Sequence, residues 1–325
     1  MIIKLIEFSA RNKFIIFIFT FFAIGGGIWA LKTTPLDAIP DLSDVQVIIY
    51  TEWAERSPTL IEDQVTYPIV TSLLAAPKVK VVRGFSFFGV SFVYVIFEDG
   101  TDIYWARTRV LEYMQGVSGK LPAGVSPTLG PDATGVGWGF EYALVDTTGK
   151  YDLAQLRTLQ DWYVRYWLQS VPGVAEVAAF GGFVKQYQVL INPDTLSAYK
   201  IPIMMVAENI RKGNRDTGAR VLEFTGREYM VRGRGYIQNI GDIEKIVVGA
   251  DERGTPILVK NIGKVVLGPD IRRGSAELDG TGEVVGGIVV VRFGVNSYDV
   301  IQRVKEKIKE VSPSLPKGVK IVTTY

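Results

Sequence analysis

The 325-residue chain contains no cysteine and no histidine. Without cysteine there is no disulfide, no thiol nucleophile and no thiolate metal site. Without histidine, a Ser-His-Asp triad, a His-ligated zinc and an imidazole proton shuttle are all excluded from this stretch. Paired carboxylates are the remaining route to acid–base chemistry. The visible clusters are Asp41/Asp44 and Glu98/Asp99/Asp102, and each lies beside a turn signal, where solvated acids are the ordinary case. The chain is therefore read as a non-enzyme without a cofactor.

Charge is missing altogether from Phe14 to Leu31, an eighteen-residue run, FIIFIFTFFAIGGGIWAL. At about 1.5 Å per residue it spans about 27 Å, close to the hydrocarbon thickness of a bilayer. Lys13 and Lys32 bracket it, and Trp29 occupies an interfacial position. A cleavable signal peptide would have a shorter apolar core and a small-residue cleavage site. This run instead passes into Leu31-Lys32-Thr33-Thr34-Pro35, so a retained membrane helix is expected. Lys4, Arg11 and Lys13 precede it against the single acid Glu7, which places the N-terminus in the cytoplasm and everything after about residue 33 outside. Setting aside Lys4, Arg11, Lys13, Lys32 and Glu7 leaves 32 basic and 33 acidic residues of the total 36 and 34. The pI of 8.5 thus reflects the flanks of the helix, and no nucleic-acid partner is expected.

The exit from the membrane, TTPLDAIPDLSD, is proline-rich and extended. Beyond it the pattern predicts a strand over Val45–Trp53, then a helix from Ser57–Pro58 to about Leu74 with a kink at Pro68. Strands follow at Val79–Phe85 and Val90–Phe97, a helix over Thr101–Gly116, and a strand over Val125–Leu129. The order is β-α-β-β-α-β, the ferredoxin-like split arrangement. It then recurs. Gly100 to Pro122 matches Gly294 to Pro316 at an offset of 194, with Arg109-Val110 and Glu112 matching Arg303-Val304 and Glu306. Pro77, Val79, Val82 and Phe85 match Pro172, Val174, Val177 and Phe180 at an offset of 95. The difference locates an insertion of roughly 100 residues after Phe180. The second copy reads as Gly137–Asp146 (strand), Asp152–Gln169 (helix), Val174–Phe180 (strand), Glu283–Phe293 (strand), Ser297–Val311 (helix) and Val319–Tyr325 (strand). The final helix places Val300, Ile301, Val304, Ile308 and Val311 on one face. The insertion reads as short strands, including Arg227–Arg232, Pro256–Val259 and Lys264–Leu267, with one helix over Pro202–Lys212. An insertion at a hairpin tip favours an interaction role.

Several motifs have bland alternatives that prevail. Gly130–Tyr142 contains G-x-G-x-G, but Pro-Asp-Ala-Thr comes directly before its glycines and a strand rather than a helix follows, so it reads as a domain-linking turn. Arg232-Gly233-Arg234-Gly235 reads as a strand running into a turn. Met204 and Met205 could offer thioethers to a soft metal. Adjacent helical residues diverge by about 100°, however, so apolar packing is expected of them. Trp162, Tyr163, Tyr166 and Trp167 are expected to pack against a sheet.

Taken together these features resemble the N-terminal half of a resistance-nodulation-division (RND) efflux pump. The stretches that carry the resemblance are PLDAIPDLSDVQV (Pro35–Val47), VRGFS (Val82–Ser86), FEDGTDIYWARTRVLEY (Phe97–Tyr113), KLPAGV (Lys120–Val125), GPDATGVGW (Gly130–Trp138) and RRGSAELDG (Arg272–Gly280). They are most similar to the heavy-metal branch, and Asp-Leu-Ser-Asp at 41–44 resembles its Cu(I)/Ag(I) subgroup. The resemblance implies an α+β fold: residues 1–35 as cytoplasmic N-terminus and first transmembrane helix, 36–130 as a first ferredoxin-like pore subdomain, 131–181 with 277–325 as a second, and 182–276 as an inserted docking subdomain. It further implies a homotrimer in the lipid bilayer of a Gram-negative-type inner membrane, a periplasmic adaptor (membrane fusion) protein, an outer-membrane channel protein and export driven by proton influx. The family's metal ligands and proton-relay carboxylates belong to later segments, so none is assigned here, and Met204 and Met205 are the only candidates within the chain. The expected reading is a portion of such a pump that cannot transport alone. The alternatives are a membrane-tethered interaction module and an RND pump for divalent metals or drugs.

Overall fold

The computed structural model describes residues 2–34, 43–134, 137–272 and 274–325. Residues 35–42 of the expected extended exit, with Asp41, lie outside the described residues, as do Gly135, Val136 and Arg273. Helix α1 (Ile2–Arg11) is followed, after Asn12, by α2 (Lys13–Thr33). The span predicted from hydropathy lies within α2, and none of its apolar window is buried.

The first repeat begins with β1 (Gln46–Glu52). Ser57 caps α3 (Pro58–Ile61) by accepting the Leu60 N–H, with proline at the first position where no N–H is needed. The helix widens over Glu62–Thr66 into a π-turn, where the Tyr67 N–H bonds the Glu62 carbonyl, and continues as α4 (Tyr67–Leu73). The irregularity expected at Pro68 is thus a π-turn immediately before it, which suits a residue unable to donate in a regular ladder. Strands β2 (Val79–Phe87) and β3 (Val90–Phe97) form a hairpin. Then come α5 (Ile103–Ser118), capped by Asp102, and β4 (Pro127–Leu129). The sheet order is β2-β3-β1-β4, so the two outer strands pair with two central ones that are themselves antiparallel. Ile49, Val93, Val95 and Phe97 from the sheet pack with Ile61, Val65, Ile69 and Leu73 from the first helix and Ala106, Val110 and Val117 from the second.

The second repeat opens with β5 (Trp138–Asp146), then α6 (Leu153–Leu159), a π-turn over Gln160–Val164, α7 (Arg165–Gln169) and β6 (Val174–Gly181). The inserted segment follows: β7 (Lys185–Ile191), α8 (Pro193–Tyr199), α9 (Ile203–Gly213), β8 (Thr217–Phe224), β9 (Arg227–Gly233), α10 (Ile240–Glu244), β10 (Val247–Ala250), β11 (Pro256–Leu258), α11 (Val259–Ile262) and β12 (Gly263–Pro269). The expectation of a single helix here is corrected to four. Three of them span only four to seven residues, too short to show a helical period in sequence. Val259, expected to end a strand, instead starts α11. Three antiparallel pairs, β7–β12, β8–β9 and β10–β11, accompany a core of Ile201, Val206, Ile243, Val248, Val259 and Ile262.

The repeat resumes with β13 (Val285–Val291), α12 (Ser297–Val311), capped by Asn296, and β14 (Val319–Thr323). Its order, β14-β5-β13-β6, is that of the first repeat in corresponding strands. The Gly286-Gly287 pair in the central strand β13 has a steric cause: a Cβ on either would strike the rings of Phe180 and Tyr142, respectively. By contacts alone the chain divides into two units, Met1–Lys150 with Gln160–Phe180 and Val285–Tyr325, and Tyr151–Leu159 with Gly181–Val284.

Candidate functional site: a membrane helix, a linker junction and exposed hairpin

No group of three or more carboxylates that could hold a metal ion occurs among the described residues. The acidic clusters have structural partners instead. Asp44 pairs with Lys80 at 3.5 Å, and Asp102 caps α5 by accepting the Trp105 N–H at 2.7 Å. Met204 and Met205, expected to pack, are exposed on α9, where Val206 is the residue turned inward. Neither belongs to a group of three or more carboxylates among the described residues.

The aromatic residues of the second repeat also depart from expectation. Trp162, Tyr163 and Tyr166 are 67%, 51% and 56% exposed. The buried row of this helix is Leu156, Gln160, Val164 and Leu168, at strict four-residue spacing. Gln160 is admitted because the buried Tyr142 hydroxyl donates to its Oε1 at 2.9 Å. Burial raises the Tyr142 pKa well above its ordinary value; the hydrogen bond to Gln160 acts the other way and is outweighed. On the first repeat, Phe85, Phe87, Phe92 and Tyr94 line a cleft of about 420 Å³ together with Gln46, Arg83 and Ile96.

The stretch read only as a turn carries a more specific arrangement. Asp132 lies between the repeats in sequence and is held from both. Tyr104 of α5 donates its hydroxyl to Asp132 Oδ2 at 3.0 Å, and Arg292, just past β13, brings Nε to the same oxygen at 3.0 Å. The Phe293 N–H bonds the Asp132 carbonyl at 2.9 Å, and Arg107 donates to the Gly130 carbonyl at 2.8 Å. The Tyr104 phenol is raised above its ordinary value, first by burial and then by its bond to the Asp132 carboxylate. Sequence reasoning passed over Asp132 because nothing local marks it; its partners are 28 and 160 positions away.

In the inserted segment the hairpin β8–β9 is exposed throughout β9, with Met230 86% and Phe224 71% accessible. Its base is tied by Asp216, which pairs with Arg232 and accepts the Gly235 N–H at 2.9 Å. That backbone bond, followed by Arg232, lowers the Asp216 pKa.

Residues 5–325 match the AcrB/AcrD/AcrF family. Over all 325 residues the chain is 52% identical to the cation efflux system protein SilA of Salmonella typhimurium and 53% identical to CusA of Escherichia coli K12. It is 37% identical, over 329 residues, to the cobalt-zinc-cadmium resistance protein CzcA of Cupriavidus metallidurans. The crystal structure of a heavy metal efflux pump superposes with a TM-score of 0.83 at 32% identity, covering 96% of this chain and 31% of that one. The chain likewise spans 31% of the length of SilA, CusA and CzcA.

Proposed function

Because this chain belongs to the AcrB/AcrD/AcrF family, we propose that it is the N-terminal portion of a proton-driven RND transporter that exports Cu(I) or Ag(I) across the cell envelope. The observation that carries the cargo is the gradient of identity, 52–53% to SilA and CusA against 37% to CzcA over the same span. The Asp-Leu-Ser-Asp exit at 41–44 points the same way. In this reading α2 is the first of the transporter's membrane helices, in the inner membrane, and the chain after about residue 33 is periplasmic. One helix cannot enclose a translocation path, so the fragment alone moves nothing.

The two β-α-β-β-α-β units are then ferredoxin-like pore subdomains, 36–130 and 131–181 with 277–325, and 182–276 is the docking subdomain. The complex is a homotrimer with a periplasmic adaptor and an outer-membrane channel. The exposed β8–β9 hairpin supports a docking role, because an apolar ribbon of this kind is stabilised by a neighbouring surface. Deleting the gene should lower tolerance to silver and copper salts while leaving tolerance to zinc, cobalt and cadmium intact. Unchanged silver and copper tolerance, with loss of tolerance to drugs or divalent metals, would refute the cargo assignment.

A further inference from the structure

We propose that α1 is a separate interfacial helix that lies on the inner leaflet, with its apolar face in the lipid and its basic residues against anionic phospholipid headgroups. The inference rests on the reading of α2 as a membrane span. The first observation is a break: Asn12 has φ −111° and ψ 49°, so the chain leaves helical geometry for one residue between α1 and α2. The Asn12 N–H and side-chain Nδ2 both bond the Phe8 carbonyl, at 2.9 and 3.0 Å, which closes α1 as its own element. A single continuous helix would have carried α1 straight into the cytoplasm.

The second observation is segregation around the helix axis. In IIKLIEFSAR, Lys4, Glu7 and Arg11 recur at spacings of three and four and fall within about 60° of one another on a helical wheel. Ile6 and Ala10, four residues apart, lie with Ile3 on the side away from that stripe. Ile3 and Ile6 are 80% and 62% exposed and Ala10 is exposed, so nothing among the described residues covers this face. The third observation decides what does cover it. Ten residues at about 1.5 Å each place every part of α1 within about 15 Å of the first residue of the span. The nearest apolar phase is therefore the bilayer itself. Amphipathic helices with apolar residues on one face and basic ones on the other settle at that boundary. Lys4, Arg11 and Lys13 against Glu7 leave a local charge of +2, which matches an anionic leaflet.

The test uses the intact protein reconstituted in vesicles of phosphatidylcholine alone, or with about a third phosphatidylglycerol. Spin labels are placed singly at Ile6, at Glu7 and, as an independent reporter of the span, at Phe22. Oxygen and nickel-chelate accessibilities give the depth of each. A label at Phe22 should be deep in lipid, one at Ile6 shallow but in lipid, and one at Glu7 in water. Adding phosphatidylglycerol should raise the lipid-bound population of Ile6 labels, and the pair K4E and R11E should lower it by about fivefold or more per reversed charge. Ile6 and Glu7 both in water, with Phe22 in lipid, would overturn the interfacial helix and leave the span standing. Immersion of Ile6 that ignores both lipid charge and the reversals would overturn the headgroup pairing. A label at Phe22 in water would overturn the span and the proposal with it.

Discussion

Replacing Asp132 by alanine should loosen the seam between the two repeats without unfolding either. The carboxylate is 16% exposed and accepts from Tyr104 and Arg292 at 3.0 Å each. Exposed ion pairs contribute about 0–1 kcal/mol, whereas hydrogen bonds to a charged group contribute about 1.5–3 kcal/mol. Arg292 is 43% exposed, so water can re-solvate it once its partner is gone, which argues for the lower end. A cost of about 1.5 kcal/mol corresponds to about a tenfold rise in local opening. Hydrogen–deuterium exchange of the intact protein reads this directly at the Phe293 amide, bonded to the Asp132 carbonyl, and at the Val291 amide, bonded to the Gly137 carbonyl at 2.7 Å. Both should exchange about tenfold faster in D132A, while Val93 and Val95 in β3 keep their rates. D132N, which retains an acceptor for Tyr104 but not the charge, should give an intermediate rise of about threefold. Unchanged exchange at Phe293 and Val291 would refute the coupling. A uniform rise through β3 would mean that Asp132 supports the whole unit rather than the seam.

The remaining expectations concern the hairpin, the repeats and a buried phenol. Asp216→Ala removes the tie to Arg232 and the Gly235 N–H, so limited proteolysis should cut within 217–235 several-fold faster, with the rest of the chain unaffected. Because the Asp216 pKa is lowered, the tie is fully present above the ordinary value of 3.8 and is lost as pH falls through the lower folded value; susceptibility of the same segment should rise only there. Gly173→Ala should destabilise by about 2–4 kcal/mol, since φ is +95° and a Cβ would lie 2.6 Å from Val300 Cγ2. The equivalent Lys78→Gly should change stability by less than about 1 kcal/mol, because relief at φ 61° offsets the loss of its stacking on Trp105; chemical denaturation separates the two. Tyr142 is stabilising as the neutral phenol, a contribution present below pH 10 and lost as pH rises toward its raised folded pKa. Alkaline unfolding followed by circular dichroism should therefore be less steep above pH 10 in Tyr142→Phe, and an unaltered slope would count against the burial argument.

Where the fold was legible in the sequence, the signal was local chemistry. Ser57-Pro58 announces a helix start, and the Ser57 side chain accepts the backbone N–H expected of a cap. The repeat offsets were legible because they fall on residues with backbone constraints. Gly100 and Gly294 take φ of 77° and 78°, and Gly124 and Gly318 take 82° and 99°, so matching letters reflect matching left-handed turns. The rest failed where tertiary partners override intrinsic preference. Hydrophobicity favours burying Trp162, Tyr163 and Tyr166 over Gln160, yet the Tyr142 hydroxyl supplies Gln160 with a partner and reverses the choice. Asp132 was invisible for the same reason. Its role exists only once α5 and the end of β13 meet at the linker.

The placement of the insertion has a physical logic of its own. The first repeat closes its β2–β3 hairpin through Phe88-Gly89, with Gly89 at φ 75°. The corresponding hairpin of the second repeat, β6 to β13, is interrupted by Gly181–Val284. Closing a flexible loop of that length instead of a two-residue turn would cost about 3.5 kcal/mol in chain entropy. The inserted chain is not flexible, because its entry strand β7 and exit strand β12 pair antiparallel from Lys185↔Pro269 to Ile191↔Gly263. Those strands return the exit end to the entry end before the host strand resumes, so the host closes over a gap already spanned. Gly181 and Gly182 lead out at φ 70° and 64°, and the Val284 N–H bonds the Ala276 carbonyl on the way back. An inserted element that closes on itself can change its exposed hairpin freely without disturbing β6 or β13. In the proposed docking role that independence would let the ribbon, with Met230 and Phe224 open to solvent, change to match a partner while the buried Val285 and Val289 of the host strand stay as they are.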